Sequence, residues 1–136
     1  MEKEGKRDTK NEIFLASAEL FAEKGYMGVA VRDIAKRIGS QAASIYNHYP
    51  SKEVILDALL DHYLDRMEYF YEKMAEAEIG IENREDLPAA LDKLMLAYEP
   101  EEMALMYQLT RIVHHEQFNS RKAAEALIGT GYKKYV

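Results

Sequence analysis

Residues 25–49, GYMGVAVRDIAKRIGSQAASIYNHY, constrain the fold more than any other stretch, because they hold two short helical patterns hinged on one glycine. Val31, Ile34, Ala35 and Ile38 recur at three- and four-residue spacing and share one helix face, while Arg32, Asp33, Lys36 and Arg37 face water. Gly39 predicts the stop. Glycine enters the left-handed conformation at a helix C-terminus without a Cβ penalty, and Lys36 and Arg37 complement the negative end of the helix dipole. The spacing predicts a second helix from about Gln41 to about His48, closed by Pro50. Ile45 and Tyr49 anchor it inward, and the small residues Ala42, Ala43 and Ser44 allow its backbone to approach another surface. Gln41, Ala42, Ser44, Tyr46, Asn47 and His48 are left facing outward.

That outward set suits nucleic acid. The amides of Gln41 and Asn47 match an adenine edge, and Tyr46, His48 and Ser44 can donate to phosphate oxygens. A helical hairpin with an ordinary solvated face has the same pattern, so these residues alone leave duplex DNA and a protein partner both open. Upstream, Thr9-Lys10-Asn11-Glu12 has the form of a capping box. Ile13, Ala16, Leu20 and Phe21 follow on one face, then Lys24 and Gly25, predicting a first helix over residues 10–24. Three such helices can share a small core of Ile13, Leu20, Phe21, Val31, Ile34, Ile38, Ile45 and Tyr49.

Further residues carry a resemblance: Ile13, Ala16, Ala18, the run Leu20-Phe21-Ala22-Glu23-Lys24-Gly25-Tyr26, then Asp33-Ile34-Ala35, Gly39, Ser44, Ile45-Tyr46, His48-Tyr49 and Ser51-Lys52-Glu53. In order and spacing, over about the first 55 residues, the chain resembles the tetracycline-repressor (TetR) family of bacterial transcriptional regulators. The resemblance implies a helix-turn-helix DNA-binding domain at residues 1–50, with 41–48 as recognition helix. Its DNA contacts would be Arg32, Gln41, Ala42, Ser44, Tyr46, Asn47, His48 and Lys52, with Arg32, Tyr46, His48 and Lys52 on phosphates. Residues 51–136 would form part of a helical effector-binding and dimerisation domain. The implied protein is a repressor of the bacterial cytosol and nucleoid, binding a palindromic operator as a homodimer and released by a small effector. Val29, Ala30 and Gln41 depart from the family pattern, which has hydroxyl residues there. Loss of a Ser/Thr cap costs the second helix about 1 kcal/mol unless another group compensates, and Gln41 is long enough to read a base instead.

Composition agrees with a cytoplasmic protein. The chain has no cysteine, which excludes a disulfide framework, and no apolar run long enough to span a bilayer. The net charge of −6 is divided unevenly: residues 1–52 hold nine Lys/Arg against seven Asp/Glu, and residues 53–136 hold nine against seventeen. A mildly basic head on an acidic body fits binding to DNA through one end, because phosphate neutralisation is local and screened beyond about 10 Å. The acidic body disfavours a lipid surface.

Past Pro50 the pattern stays helical, so the expected fold class is all-α, a three-helix head followed by a long connecting helix. Ser51 can cap a helix from Lys52 to about Ala77, with Ile55, Leu59, His62, Tyr63, Met67, Phe70 and Met74 along one side. Asp57, Asp61, Asp65, Glu68, Glu72 and Glu76 line another side and read as a solvated face. Gly80 closes that helix, Asn83 to Asp86 form a polar link, and further helices are expected near Pro88–Tyr98, from Glu101 to about Glu116, and after Ser120. The final residues, GYKKYV, read as the opening turn of one more.

Tyr63, Met67, Phe70, Met74, Met95, Tyr98, Met103, Met106 and Tyr107 are the candidate effector contacts. At helical spacing such residues are more often core than pocket. Helices at these positions in the resembled family enclose an effector, and a lipophilic or flat aromatic molecule suits the side chains. Chemistry beyond binding finds little to use. Adjacent His114 and His115 point about 100° apart on a helix and do not share an ion easily. Gly129-Thr130-Gly131 lacks the third glycine of a dinucleotide fingerprint. No cofactor, metal or catalytic activity is expected. The competing readings are a helical protein-interaction module and a small-molecule carrier. The resemblance also implies several more helices than the chain holds, including the dimer interface, which leads us to expect Leu105, Leu109, Ile112 or Leu127 to lie exposed.

Overall fold

A computed structural model describes residues 7–76, 88–89, 92 and 96–127. The described residues are helical with no strand: α1 (Thr9–Lys24), α2 (Val31–Arg37), α3 (Ala42–His48), α4 (Lys52–Glu76) and α5 (Pro100–Glu116), with a further helical run at 121–127. Gly80, the link from Asn83 to Asp86, Met95, Gly129 to Gly131 and the terminal GYKKYV lie outside the described residues.

The start of α1 differs from the expected capping box. Asp8 is the N-cap, its carboxylate accepting from the Asn11 N–H at 3.1 Å, and Thr9 is already helical. Glu12 pairs with Arg7 instead. A carboxylate one residue upstream satisfies the same orphan amides and adds favourable charge at the positive end of the helix. At the other end, Gly25 takes φ 80° and ψ 153°, a conformation open to glycine alone, and its N–H donates to the Phe21 carbonyl at 2.9 Å.

Ala30 leaves α2 without a side-chain cap, and the chain compensates from inside the helix. The Asp33 carboxylate accepts the Ala30 N–H at 2.8 Å, which is the reciprocal half of a capping box. The far end closes on the expected glycine. Gly39 has φ 68°, its N–H donates to the Lys36 carbonyl at 3.2 Å, and the Ser40 N–H donates to the Ala35 carbonyl at 2.8 Å. This pair of crossed bonds is a Schellman motif, and it turns the chain sharply into α3. Ser51 then caps α4 as its position predicts, accepting the Val54 N–H at 3.2 Å, and Ser120 accepts the Ala123 N–H at 3.2 Å. In the expected Pro88–Tyr98 helix, Pro88, Ala89 and Asp92 are helical, but Leu96 to Tyr98 already turn toward α5.

One hydrophobic core crosses the boundary expected near residue 50. Ile13, Phe21, Ile34 and Ile45 from the head join Ile55, Leu59 and Leu60 of α4 and Leu109, Ile112 and Val113 of α5. The long axis of this assembly is α4, whose 25 residues extend roughly 37 Å at the helical rise of 1.5 Å per residue. The expected exposure of α5 is overturned. Leu109 and Ile112 are each 1% exposed, and Leu105 and Leu127 are half-buried against the same core. α5 turns its apolar face onto α1 and α4, so the first helix of the head and the connecting helix together supply the cover. The most exposed large apolar side chains among the described residues are others: Leu96, Tyr107 and Phe118, and Met27 in the head. The acidic stripe of α4 is partly neutralised, since Lys122 reaches Asp61 at 2.7 Å and Asp57 at 3.9 Å.

Candidate nucleic-acid interface

Ile45 is fully buried and Tyr49 nearly so, and these two residues, four apart, fix which side of α3 faces out. The outward side carries Gln41, Ala43, Tyr46, Asn47 and His48 exposed, with Ala42 and Ser44 half-buried at its margin. Ala43 is a residue the sequence reading left out. The period of a helix places it with Tyr46 and Asn47, three and four residues on, rather than with Ala42, a distinction invisible when three small residues stand in a row. Gln41 is the N-cap of α3, but its amide makes no capping hydrogen bond. Its donor and acceptor are therefore available to an external edge. The Tyr49 hydroxyl is raised above its ordinary value by burial and then by Asp8, and Lys10 lies 5.4 Å from the Tyr49 ring centre.

Arg32, the second residue of α2, is exposed beside this face in sequence order, and its neighbour Arg37 is not free in the same way. The Arg37 guanidinium bonds Glu19 at 2.9 Å and approaches Glu23 at 3.8 Å. Arg7 is similarly engaged, by Glu12 and by the Ile38 carbonyl. Such exposed pairs contribute little stability, but they orient α1 and α2 and cancel charge the head would otherwise present.

Lys52 departs most from the expected phosphate contact. Its ammonium donates to the carbonyls of Tyr26 at 2.8 Å and Val29 at 3.0 Å, and sits 4.1 Å from the centre of the Tyr26 ring. Tyr26 in turn stacks edge-on to Phe21 of α1 at 5.3 Å. The ammonium is thus turned into the protein, on the short turn that joins α1 to α2.

The candidate effector residues divide. Phe70 and Tyr98 meet at 6.5 Å, with Tyr69 at 6.3 Å from Tyr98 and the Arg66 guanidinium 4.7 Å from the Tyr69 ring. Arg66 also pairs with Glu102, tying α4 to α5. Its Nε and the Tyr98 hydroxyl are shielded from solvent and have no hydrogen-bond partner among the described residues. Burial raises the Tyr98 hydroxyl above its ordinary value, against the opposing pull of Arg66. Tyr63 is buried in the core, while Met67, Met74, Met103 and Met106 are half-buried. Tyr107 stands apart: it is 67% exposed and borders a groove with Glu19, Arg37 and Arg111. Sequence reasoning missed Arg66 and Tyr69, whose partners Glu102 and Tyr98 lie beyond α4.

His62, on the α4 side that meets α1, packs edge-on to Phe14 at 5.4 Å. Burial and then Arg66 hold its imidazole below the ordinary value, against Asp65 and Glu102. Among the described residues no three His, Asp or Glu side chains gather closely enough to hold a metal ion, and no helix is long and apolar enough to cross a membrane.

Comparison with known proteins agrees with this geometry. Residues 13–59, from α1 into the first turns of α4, match the family model described as bacterial regulatory proteins, tetR family. The HTH-type transcriptional repressor KstR2 of Rhodococcus jostii is 32% identical over 117 residues, covering 84% of this chain and 56% of the relative. KstR2 of Mycobacterium tuberculosis is 41% identical over 56 residues, 41% of this chain and 28% of the relative. The HTH-type transcriptional regulator YuxN of Bacillus subtilis is 28% identical over 117 residues, 85% of this chain and 35% of the relative. The chain therefore spans about half the length, or less, of these relatives. No solved structure matches it. A helix-turn-helix head closed on Gly25 and Gly39 and matched in residues 13–59 gives the chain the DNA-binding head of the tetR family of bacterial regulatory proteins.

Proposed function

We propose that the chain is the DNA-binding head and part of the effector domain of a transcriptional repressor that reads a palindromic operator as a homodimer. The observation that carries this reading is the outward face of α3, with Gln41, Ala43, Tyr46, Asn47 and His48 exposed over the anchors Ile45 and Tyr49. In this role Gln41 and Asn47 address base edges, Ala42 and Ala43 let the backbone come close, and Ser44, Tyr46, His48 and Arg32 hold phosphates. The relatives named as repressors and regulators support a binding protein rather than an enzyme. A bacterial cytosolic location follows from that role.

The effector reading rests on the cluster in which Phe70 and Tyr69 meet Tyr98 beside Arg66. Aromatic walls suit a lipophilic or flat ligand, and α4 runs without a break from there to the head. An effector that favours one tilt of α4 would change the separation of two recognition helices, which must lie about 34–36 Å apart to enter successive major grooves. Selection from a random duplex library tests the proposal. An inverted-repeat consensus, with affinity falling steeply as salt rises, is the expected result. Retention of no duplex above background would remove the reading in favour of a protein-interaction module.

A further inference from the structure

Lys52 joins the long helix to the recognition head through a charge, and its surroundings are those of a joint. An ammonium has three N–H donors and no acceptor. Two of them are taken by the carbonyls of Tyr26 and Val29, at 2.8 and 3.0 Å, and the ammonium lies 4.1 Å from the Tyr26 ring centre. Both carbonyls belong to the connection between α1 and α2, where Tyr26–Gly28 form one 3-10 turn and the Tyr26 carbonyl also accepts the Val29 N–H at 3.4 Å. Tyr26 is itself fixed on Phe21, and Val29 is buried in the core. A cation at the first residue of a helix opposes the helix dipole. The two carbonyls and the ring provide the compensating negative potential.

We infer that Lys52 is a positioning residue: it clamps the first turn of α4 to the α1–α2 turn, so that a change in the tilt of α4 is delivered to α2 and α3, and it does not serve as a phosphate contact. The inference rests on the DNA-binding reading above and deepens it. Ala30 and Val31, which start α2, follow Val29 directly, so the turn held by Lys52 sets where Arg32 and the α2 N-terminus stand. With two of its three N–H donors on these carbonyls and the Tyr26 ring centre 4.1 Å away, the ammonium is turned toward the protein rather than toward an outside phosphate. The two roles therefore predict different consequences when the charge is removed.

The test compares the wild-type chain with Lys52→Met on a duplex selected from a random library, with salt varied from about 50 to about 200 mM and folding verified by circular dichroism. For a clamp, the affinity of the folded variant falls about tenfold, as expected for loss of charge-assisted hydrogen bonds, and the slope of log affinity against log salt is unchanged. A slope reduced by about 0.9 per head makes Lys52 a phosphate contact and overturns the clamp while leaving DNA binding intact. Unchanged affinity of the folded variant also overturns it. A second measurement needs no variant: acetic anhydride footprinting of the wild-type lysines, with and without the duplex. Lys52 should stay slow to react in both, while exposed Lys36 reacts readily in the free chain. Fast modification of Lys52 in the free chain, suppressed by duplex, overturns the inference. A wild-type chain that retains no duplex removes the DNA reading together with it.

Discussion

Replacing Gly39 by alanine isolates the conformational term that lets α2 turn into α3. Gly39 has φ 68°, and a Cβ built there would meet nothing within 4 Å. The substitution therefore introduces no clash, and its cost is that of holding an L-residue in the left-handed region, about 1–2 kcal/mol. Alanine also narrows the unfolded ensemble, which returns about 0.4–1 kcal/mol. The net expectation is a loss of about 1 kcal/mol for Gly39→Ala, and a smaller loss for Gly39→Asn, because asparagine tolerates this region better. Gly25 provides the internal comparison. It also has open space around its Cβ position, but its ψ of 153° lies in a region closed to other residues, so Gly25→Ala should cost more. Urea unfolding followed by circular dichroism gives these differences as shifts in midpoint at constant slope. If Gly39→Ala is neutral or stabilising, or Gly39→Asn is as costly as alanine, the Schellman account of this turn is refuted.

Asp33→Ala should lower stability by about 1 kcal/mol, because the Ala30 N–H loses its acceptor and no side chain at Ala30 replaces it; equal urea midpoints would contradict this. Gln41→Ala should flatten base preference at one position of each half-site in duplex selection while leaving the salt dependence alone, and an unchanged consensus would exclude Gln41 from readout. His62 predicts a pH dependence. Its folded-state imidazole sits below its unfolded value of about 6.5, so the unfolded chain binds the proton more readily. His62 therefore contributes stability above that value, lost as pH falls through the depressed folded one. His62→Gln should flatten the urea midpoint between about pH 7 and pH 5, and Arg66→Met should weaken the dependence in the same direction; a profile indifferent to both would refute the assignment.

The three-helix head was legible because its signals are local. Val31, Ile34 and Ala35 repeat at helical spacing, Gly39 sits where only a left-handed residue closes the turn, and Ser51 precedes an apolar run; each fixes an element without knowledge of its neighbours. What stayed hidden depends on distant partners. Thr9 and Asp8 both offer caps one residue apart, and the choice falls to Asp8 through charge that local pattern does not weigh. The apolar face of α5 is plain in sequence, but that α1 and α4 cover it is not, and so the expectation of exposure at Leu109 and Ile112 fails. Lys52 is expected on a phosphate from the resemblance, and its acceptors on Tyr26 and Val29, more than twenty residues earlier, are not visible in local pattern. Arg66 is hidden for the same reason, its partner Glu102 lying on another helix.

The account turns on α3 presenting Gln41 through His48 to DNA, and nuclear magnetic resonance on the chain titrated with a selected duplex reads that directly, residue by residue. Shifts concentrated at Arg32 and at Gln41, Ala43, Tyr46, Asn47 and His48, with Ile45 and the α5 core residues Leu109 and Ile112 little moved, are the predicted result. Shifts centred on α4 and α5, with the α3 face unperturbed at saturating duplex, would contradict it.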